Sequence, residues 1–254
     1  MRFPLPTFPI IFTFSLTTAT RIFYNNGTLT GWSISPPKPE HKGVVTEVTN
    51  LFAVPPTALK MIQTYDPSYT GRCHSEARLF NAYTKGTTAY YAFSFRLQKD
   101  WQFAPIQSYN LAQFIADFSG LCDESFMPTA MVGILGDQLV TRRKYGNVCP
   151  KSAQKSEPYR DLAKITAEDW HRVVIQASWK SDKTGFYKLW YDGFMVLDKV
   201  GIETTVSEDR PFEFRVGLYA NGWHDDPEGM KGDQGTRSVW FDEISIGTTM
   251  GDVI

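Results

Sequence analysis

Apolar and polar residues alternate with a period of two along most of this chain, a pattern that suits strands with one buried face and little else. In residues 89–97, Tyr91, Phe93, Phe95 and Leu97 fall on one side, and Tyr90, Ser94 and Arg96 on the other. In residues 171–179, Val173, Ile175, Ala177 and Trp179 oppose Arg172, Gln176 and Ser178. Residues 185–191 and 194–197 flank Asp192-Gly193, a strong short hairpin signal. Residues 215–219 and 239–246 add two further strands, and helical spacing is confined to short candidates at 58–63 and 167–170. With 19 Gly and 15 Pro in the connections and no βαβ rhythm, the expected fold is all-β. It is a two-sheet antiparallel β-jelly-roll sandwich, concanavalin-like, with one sheet curved into a concave groove.

At 254 residues the chain can bury a large core without staples. Its 26 Lys+Arg against 27 Asp+Glu argue against a strongly basic nucleic-acid-binding protein. Residues 1–20 read as a signal peptide: a positive start at Arg2, an apolar stretch from Phe8 to Leu16, then the small residues Thr17, Thr18 and Ala19. Residues 21–254 then form a single domain, secreted and extracellular. No later run reaches the ~20 apolar residues of a membrane helix, so no membrane partner is expected, and the chain is expected to be a monomer. Cys122 and Cys149 are placed to close a loop of about 27 residues, a staple worth ~3 kcal/mol or somewhat more. Cys73 is left as a buried, inert thiol. Asn26-Gly27-Thr28 is an N-glycosylation acceptor in a secreted eukaryotic chain. Residues 150–158 read as a surface loop.

Three segments carry chemistry on the face opposite their apolar row. In residues 72–79, alternation sends Arg72, His74, Glu76 and Arg78 one way, and Cys73, Ser75, Ala77 and Leu79 the other. In residues 111–118, Ala112, Phe114, Ala116 and Phe118 form the core row, leaving Gln113 and Asp117 outside with Leu111 and Ile115. In residues 214–219, Arg215, Gly217 and Tyr219 share a face, with Gly217 leaving room for a ligand. A solvated ladder of charged pairs would look the same in any one of these segments. Their joint occurrence, a His, a Gln, a Tyr and two Arg on one architecture, is what suggests a site.

At these positions the sequence resembles a known family. Residues 65–72 (Tyr-Asp-Pro-Ser-Tyr-Thr-Gly-Arg), 108–116 (Ser-Tyr-Asn-Leu-Ala-Gln-Phe-Ile-Ala), 170–176 (Trp-His-Arg-Val-Val-Ile-Gln) and 214–226 (from Phe214 through Asn221-Gly222-Trp223-His224-Asp225-Asp226) are similar to the fungal glucuronan lyases, polysaccharide lyase family 20. The likeness extends from about Phe23 to Gly247. It implies a jelly roll, secretion, and endolytic β-elimination of the anionic polysaccharide β-1,4-linked polyglucuronate. By position, Tyr219, Gln113 and His74 match catalytic residues of that family. Arg72, Arg215, Glu76, Asp117, Asn221 and Arg142 are taken as substrate-binding, and residues 223–226 as a groove wall. No organic cofactor is implied. A structural calcium ion is, with Asp242 and Glu47 as candidate oxygen ligands.

The elimination removes the C5 proton of a uronate and expels O4, which first requires the neighbouring carboxylate to be neutralised. Gln113, with a cationic His74 or Arg72, suits that task. In glucuronate the proton and O4 lie on one side, so a syn course is natural. Tyr219, with its pKa lowered by nearby cations, could serve as both base and acid; His74 as base with Tyr219 as acid is the competing assignment. Arg78, Arg215 and the Arg142-Arg143-Lys144 run supply local positive charge. Three alternatives share the scaffold: a non-catalytic carbohydrate-binding module, an alginate lyase, and a glycoside hydrolase, for which Glu76 with Asp117 is the one carboxylate pair to test.

Overall fold

The computed structural model describes residues 19–34, 43–225 and 230–254. Residues 1–18 of the expected signal peptide, and Asp226, lie outside the described residues. The strands are β1 (Arg21–Asn25), β2 (Ser33–Ile34), β3 (Val44–Val48), β4 (Ala58–Thr64), β5 (His74–Tyr83), β6 (Thr88–Leu97), β7 (Ser108–Asp117) and β8 (Phe126–Leu135), followed by β9 (Gln138–Gly146), β10 (Gln154–Lys164), β11 (Trp170–Ser178), β12 (Gly185–Tyr191), β13 (Phe194–Ile202), β14 (Phe212–Ala220) and β15 (Thr236–Gly247). They form two antiparallel sheets. The back sheet runs β13-β12-β11-β6-β15-β4-β3, with β1 paired to β15; the front sheet runs β10-β9-β8-β7-β14-β5-β2. Early and late strands interleave in both sheets, which is the jelly-roll pattern the alternation anticipates. Among the described residues no α-helix occurs, only short 3-10 turns.

The core lies between the sheets and is largely aromatic. Tyr91 of the back sheet meets Phe114 and Phe214 of the front sheet, and Phe93 and Phe95 lie in the same core, all fully buried. Trp179 packs against Tyr83 and Phe114, and its indole N–H donates to Tyr91 Oη at 3.0 Å, so neither polar tip is stranded. At the β12–β13 hairpin, Asp192 (φ 48°) and Gly193 (φ 84°) both take left-handed backbone, as a type I′ turn requires.

Three local expectations are corrected. Residues 58–63 are not helical but lie in β4, where Leu59, Met61 and Gln63 are wholly buried and Lys60 and Ile62 point outward. The outward Ile62 and the inward Gln63, whose amide donates to Ser75 Oγ at 2.6 Å, disguise the period of two. Residues 167–170 form no helix; Trp170 opens β11. Residues 150–158 are not wholly a loop, because β10 begins at Gln154 and contains Pro158. As the outer strand of its sheet, β10 tolerates a residue without an N–H.

Candidate functional site

The solvent face of the front sheet holds a cleft of about 810 Å³ lined from β5, β7, β8, β9, β10 and β14. Strand register arranges its floor in rows that cross the strands. His74, Tyr219 and Asn110 are successive partners in one row; Arg78, Arg215, Gln113, Met131 and Arg142 form another. Asn110 and Gln113 both face the cleft although they are three residues apart. The reason is a bulge: β7 carries one extra residue, Leu111, between the partners of Gly133 and Val132. Leu111 is therefore driven into the core rather than standing beside Gln113, and Asn110 takes a cleft position that strict alternation denies it.

Glu76 lies between the two rows and ties them together. Its side chain is only 4% exposed. Its Oε1 accepts the Gln113 amide N–H, and its Oε2 sits 3.3 Å from both His74 Nδ1 and Arg215 Nη1. Arg215 is also held by Glu213, 2.7 Å from Nε. Burial by itself would raise the Glu76 pKa. The hydrogen bond and charge of His74, the charge of Arg215 and the Gln113 amide outweigh it and hold the carboxyl below its ordinary range. An ionised carboxylate can only accept, so the nitrogen facing it, Nδ1, carries a proton, and any lone pair His74 offers is on Nε2.

Tyr219 is 7% exposed and points into the cleft, not into the core. Its ring lies nearly parallel to that of His74, 11° between planes and 5.9 Å between centroids. Its hydroxyl donates to Asp225 Oδ2 at 2.5 Å. Asp225 Oδ1 is 2.7 Å from His224 Nδ1 and 3.9 Å from Arg72 Nε. Burial, followed by the hydrogen bond and charge of Asp225, pushes the phenol pKa well above its ordinary value despite the opposing charge of Arg72. The expectation of a lowered phenol pKa is thereby overturned: the nearest charged group is an anion. Tyr219 stands protonated.

The sequence matches the polysaccharide lyase family over residues 24–245. The chain belongs to that family. The crystal structure of an endo-β-1,4-glucuronan lyase from the fungus Trichoderma reesei superimposes with a TM-score of 0.86 at 47% identity, covering 92% of this chain and 98% of that one. A structure of the cellulose induced protein Cip1 matches with a TM-score of 0.52 at 15% identity, covering 87% of this chain and 93% of that one, a likeness of fold alone. No curated protein sequence matches. The chain is thus a lyase acting on polysaccharides, as the resemblance in its motifs implied.

Of the residues read from the sequence, the fold brings Tyr219, His74, Gln113, Glu76, Arg72, Arg215, Arg142 and Asn221 to this cleft. Asn221 exchanges amide hydrogen bonds with Asn110 and donates to Ser108 Oγ at 2.8 Å, which closes one end of the floor. Asp117 is not brought there. It sits exposed at the end of β7, accepting from the backbone N–H and hydroxyl of Ser119, because the strand ends at that residue and the chain turns. The hydrolase pair Glu76 and Asp117 therefore does not converge. Gly217 makes no room for a ligand: a Cβ there would meet Ser75 O at 2.2 Å and Glu76 Cα at 2.7 Å, so its role is close approach of β14 to β5. The Arg142–Lys144 run lies in strand β9, with Arg142 and Lys144 in the cleft and Arg143 bonded to Tyr159 Oη at 2.9 Å. Asp225 is the member that strand reasoning could not rank, since it follows β14 on a 3-10 turn where no period applies. The aspartate pair closing the 214–226 motif was its only signal.

Away from the cleft, Cys122 and Cys149 form the expected disulfide across the β8–β9 hairpin, and Cys73 is a buried free thiol whose pKa burial pushes up to about 11. Asp242 is wholly enclosed. Its Oδ2 accepts from Ala53 and Val54 N–H and its Oδ1 from Glu243 N–H, while burial raises its pKa. Glu47 accepts from Leu29 N–H at 3.0 Å. Among the described residues no group of three or more His, Cys, Asp or Glu could hold a metal ion. Calcium also takes backbone carbonyls and water, and Asp242 Oδ1, with a single N–H partner, keeps lone-pair capacity for a hard cation.

Proposed function

We propose that this lyase cleaves β-1,4-linked polyglucuronate inside the chain by syn β-elimination, leaving a 4,5-unsaturated uronate at the new non-reducing end. The observation that carries the reading is the His74–Tyr219 pair, a base and a protonated acid on directly paired strands facing one cleft. A C5 proton and an O4 leaving group on one face of a sugar ring need their partners side by side, as these two are. Gln113 keeps a second amide N–H beyond the one given to Glu76, and with Arg72 it would quench the uronate carboxylate. His74 Nε2 then takes the C5 proton. The C5–H electron pair becomes the C4=C5 bond, the C4–O4 pair departs with O4, and O4 takes the proton of Tyr219. Tyr219 recovers its proton from solvent as His74 releases one.

The Trichoderma relative, a glucuronan lyase, supports polyglucuronate as substrate. Secretion is part of the same proposal, supported by the disulfide and the apolar leader. So is a structural calcium ion held at Asp242, with no part in the chemistry. The test is incubation with polyglucuronate and, separately, alginate, recording ultraviolet absorbance and reducing ends. Absorbance growing on polyglucuronate is expected; reducing ends without absorbance would mean hydrolysis and end the proposal.

A further inference from the structure

The cross-strand row Arg78, Arg215, Gln113, Met131, Arg142 spans five adjacent strands. At about 4.8 Å per strand it crosses roughly 19 Å of cleft floor. Its middle cation is spent, since Arg215 is bound to Glu76 and Glu213. Its ends differ. Among the described residues Arg78 reaches only Ser33 Oγ at 3.5 Å and the Phe80 ring, and its Nε is buried without a partner. Among the described residues Arg142 hydrogen-bonds only Pro128 O, at 3.3 Å, feels the charge of Asp225 without an ion pair, and has its Nε likewise buried without a partner. No ion pair joins either guanidinium to a carboxylate among the described residues. Buried donors are seldom left unmade in a finished structure, and the guanidinium fork matches a carboxylate in two-point geometry. Both side chains line the same cleft.

We infer that Arg78 and Arg142 are two carboxylate subsites of the cleft, Arg78 on the strand of His74 itself and Arg142 three strands beyond that of Tyr219, each holding a uronate of the bound chain. The polyuronate chain then lies across the strands, between the His74–Tyr219–Asn110 row and the basic row, with Glu76 beneath it. This rests on the polyuronate reading of the site and adds to it a chain direction, two specificity residues and a minimum length. An oligomer too short to span the row meets only one of the two arginines.

The experiment compares Arg78→Gln, Arg142→Gln and the double variant on polyglucuronate and on a series of oligoglucuronates, with thermal melting as the folding control. Each single variant should raise KM for polymer about tenfold, the effect of one charge-assisted hydrogen bond, and the double variant about a hundredfold, with a much smaller change in kcat. The salt sensitivity of KM should weaken in each, and Arg142→Lys should recover part of the loss. On oligomers below the spanning length, one of the two substitutions should lose its effect. An unchanged KM in folded variants, or a fall in kcat at unchanged KM, would overturn the inference. If wild type releases no unsaturated product from any polyuronate, the lyase reading of the substrate fails separately. Calorimetric binding of polyglucuronate to Tyr219→Phe with and without Arg142→Gln then decides the row itself: equal affinities overturn it, a tenfold difference sustains it.

Discussion

Replacing Glu76 by Gln keeps the shape of the cleft floor and removes one charge. The glutamine can still accept from Gln113, but it loses the ionic contacts at 3.3 Å to His74 and Arg215. Breaking a buried pair outright costs about 3–5 kcal/mol. Arg215 keeps Glu213 at 2.7 Å, which puts this substitution nearer about 2–3 kcal/mol. For a chain of this size that is a fall in Tm of roughly 5–10 °C. The pH dependence follows from the lowered Glu76 pKa. A carboxyl depressed in the fold stabilises it above the unfolded value of about 4.5, and that contribution is lost as pH falls through the folded value. The Tm gap between wild type and variant is therefore full at neutral pH and narrows below about pH 4.5. Activity should suffer more than stability. Without the carboxylate, His74 is free to place its lone pair on Nδ1, away from the cleft position proposed for the base, and kcat should drop roughly 10²–10⁴-fold with KM moving less than about threefold. The assay is initial rate of unsaturated product, with melting curves at neutral and acid pH. A variant that melts lower yet keeps kcat within a few fold of wild type would refute the claim that Glu76 sets the His74 tautomer.

Asp225→Asn removes the anion that helps hold the Tyr219 phenol protonated; the alkaline limb of kcat should move to lower pH, and a pH–rate profile with an unmoved limb would contradict Tyr219 as the acid. Gly217→Ala sets a Cβ 2.2 Å from Ser75 O and should lower stability by about 2–4 kcal/mol, read as a fall in Tm with loss of activity. Replacing Cys122 and Cys149 together by Ala opens a separation of 27 residues and should cost ~3.5 kcal/mol in the chain-entropy model, seen in denaturant melts. Treatment with EDTA should lower Tm and calcium restore it, while kcat of the folded enzyme at low temperature stays the same; an unmoved Tm would dismiss the calcium proposal.

How much was legible beforehand depended on whether a property is carried by nearest neighbours along the chain. Alternation placed His74, Glu76 and Arg78 on one face of β5, and Arg215 with Tyr219 on one face of β14, because successive side chains of a strand point to opposite sides whatever lies beyond it. The same rule failed at Leu111, where a single extra residue reverses the parity of β7, and at residues 58–63, where an inward Gln63 is satisfied by Ser75 from another strand. Asp117 shares its parity with Gln113 yet lies beyond the cleft, since parity sets a face and not a position along it.

The all-β class, the apolar rows, the disulfide partners and the family motifs are thus properties of the chain itself, set by local periodicity and residue type. The two cross-strand rows, the burial of Glu76 among three donors, and the sign of the Tyr219 shift belong to the tertiary structure. Each depends on which strands are neighbours and on an anion, Asp225, brought beside the phenol by the turn after β14. A pKa answers to charges and water in space, and neither is ordered by position along the chain.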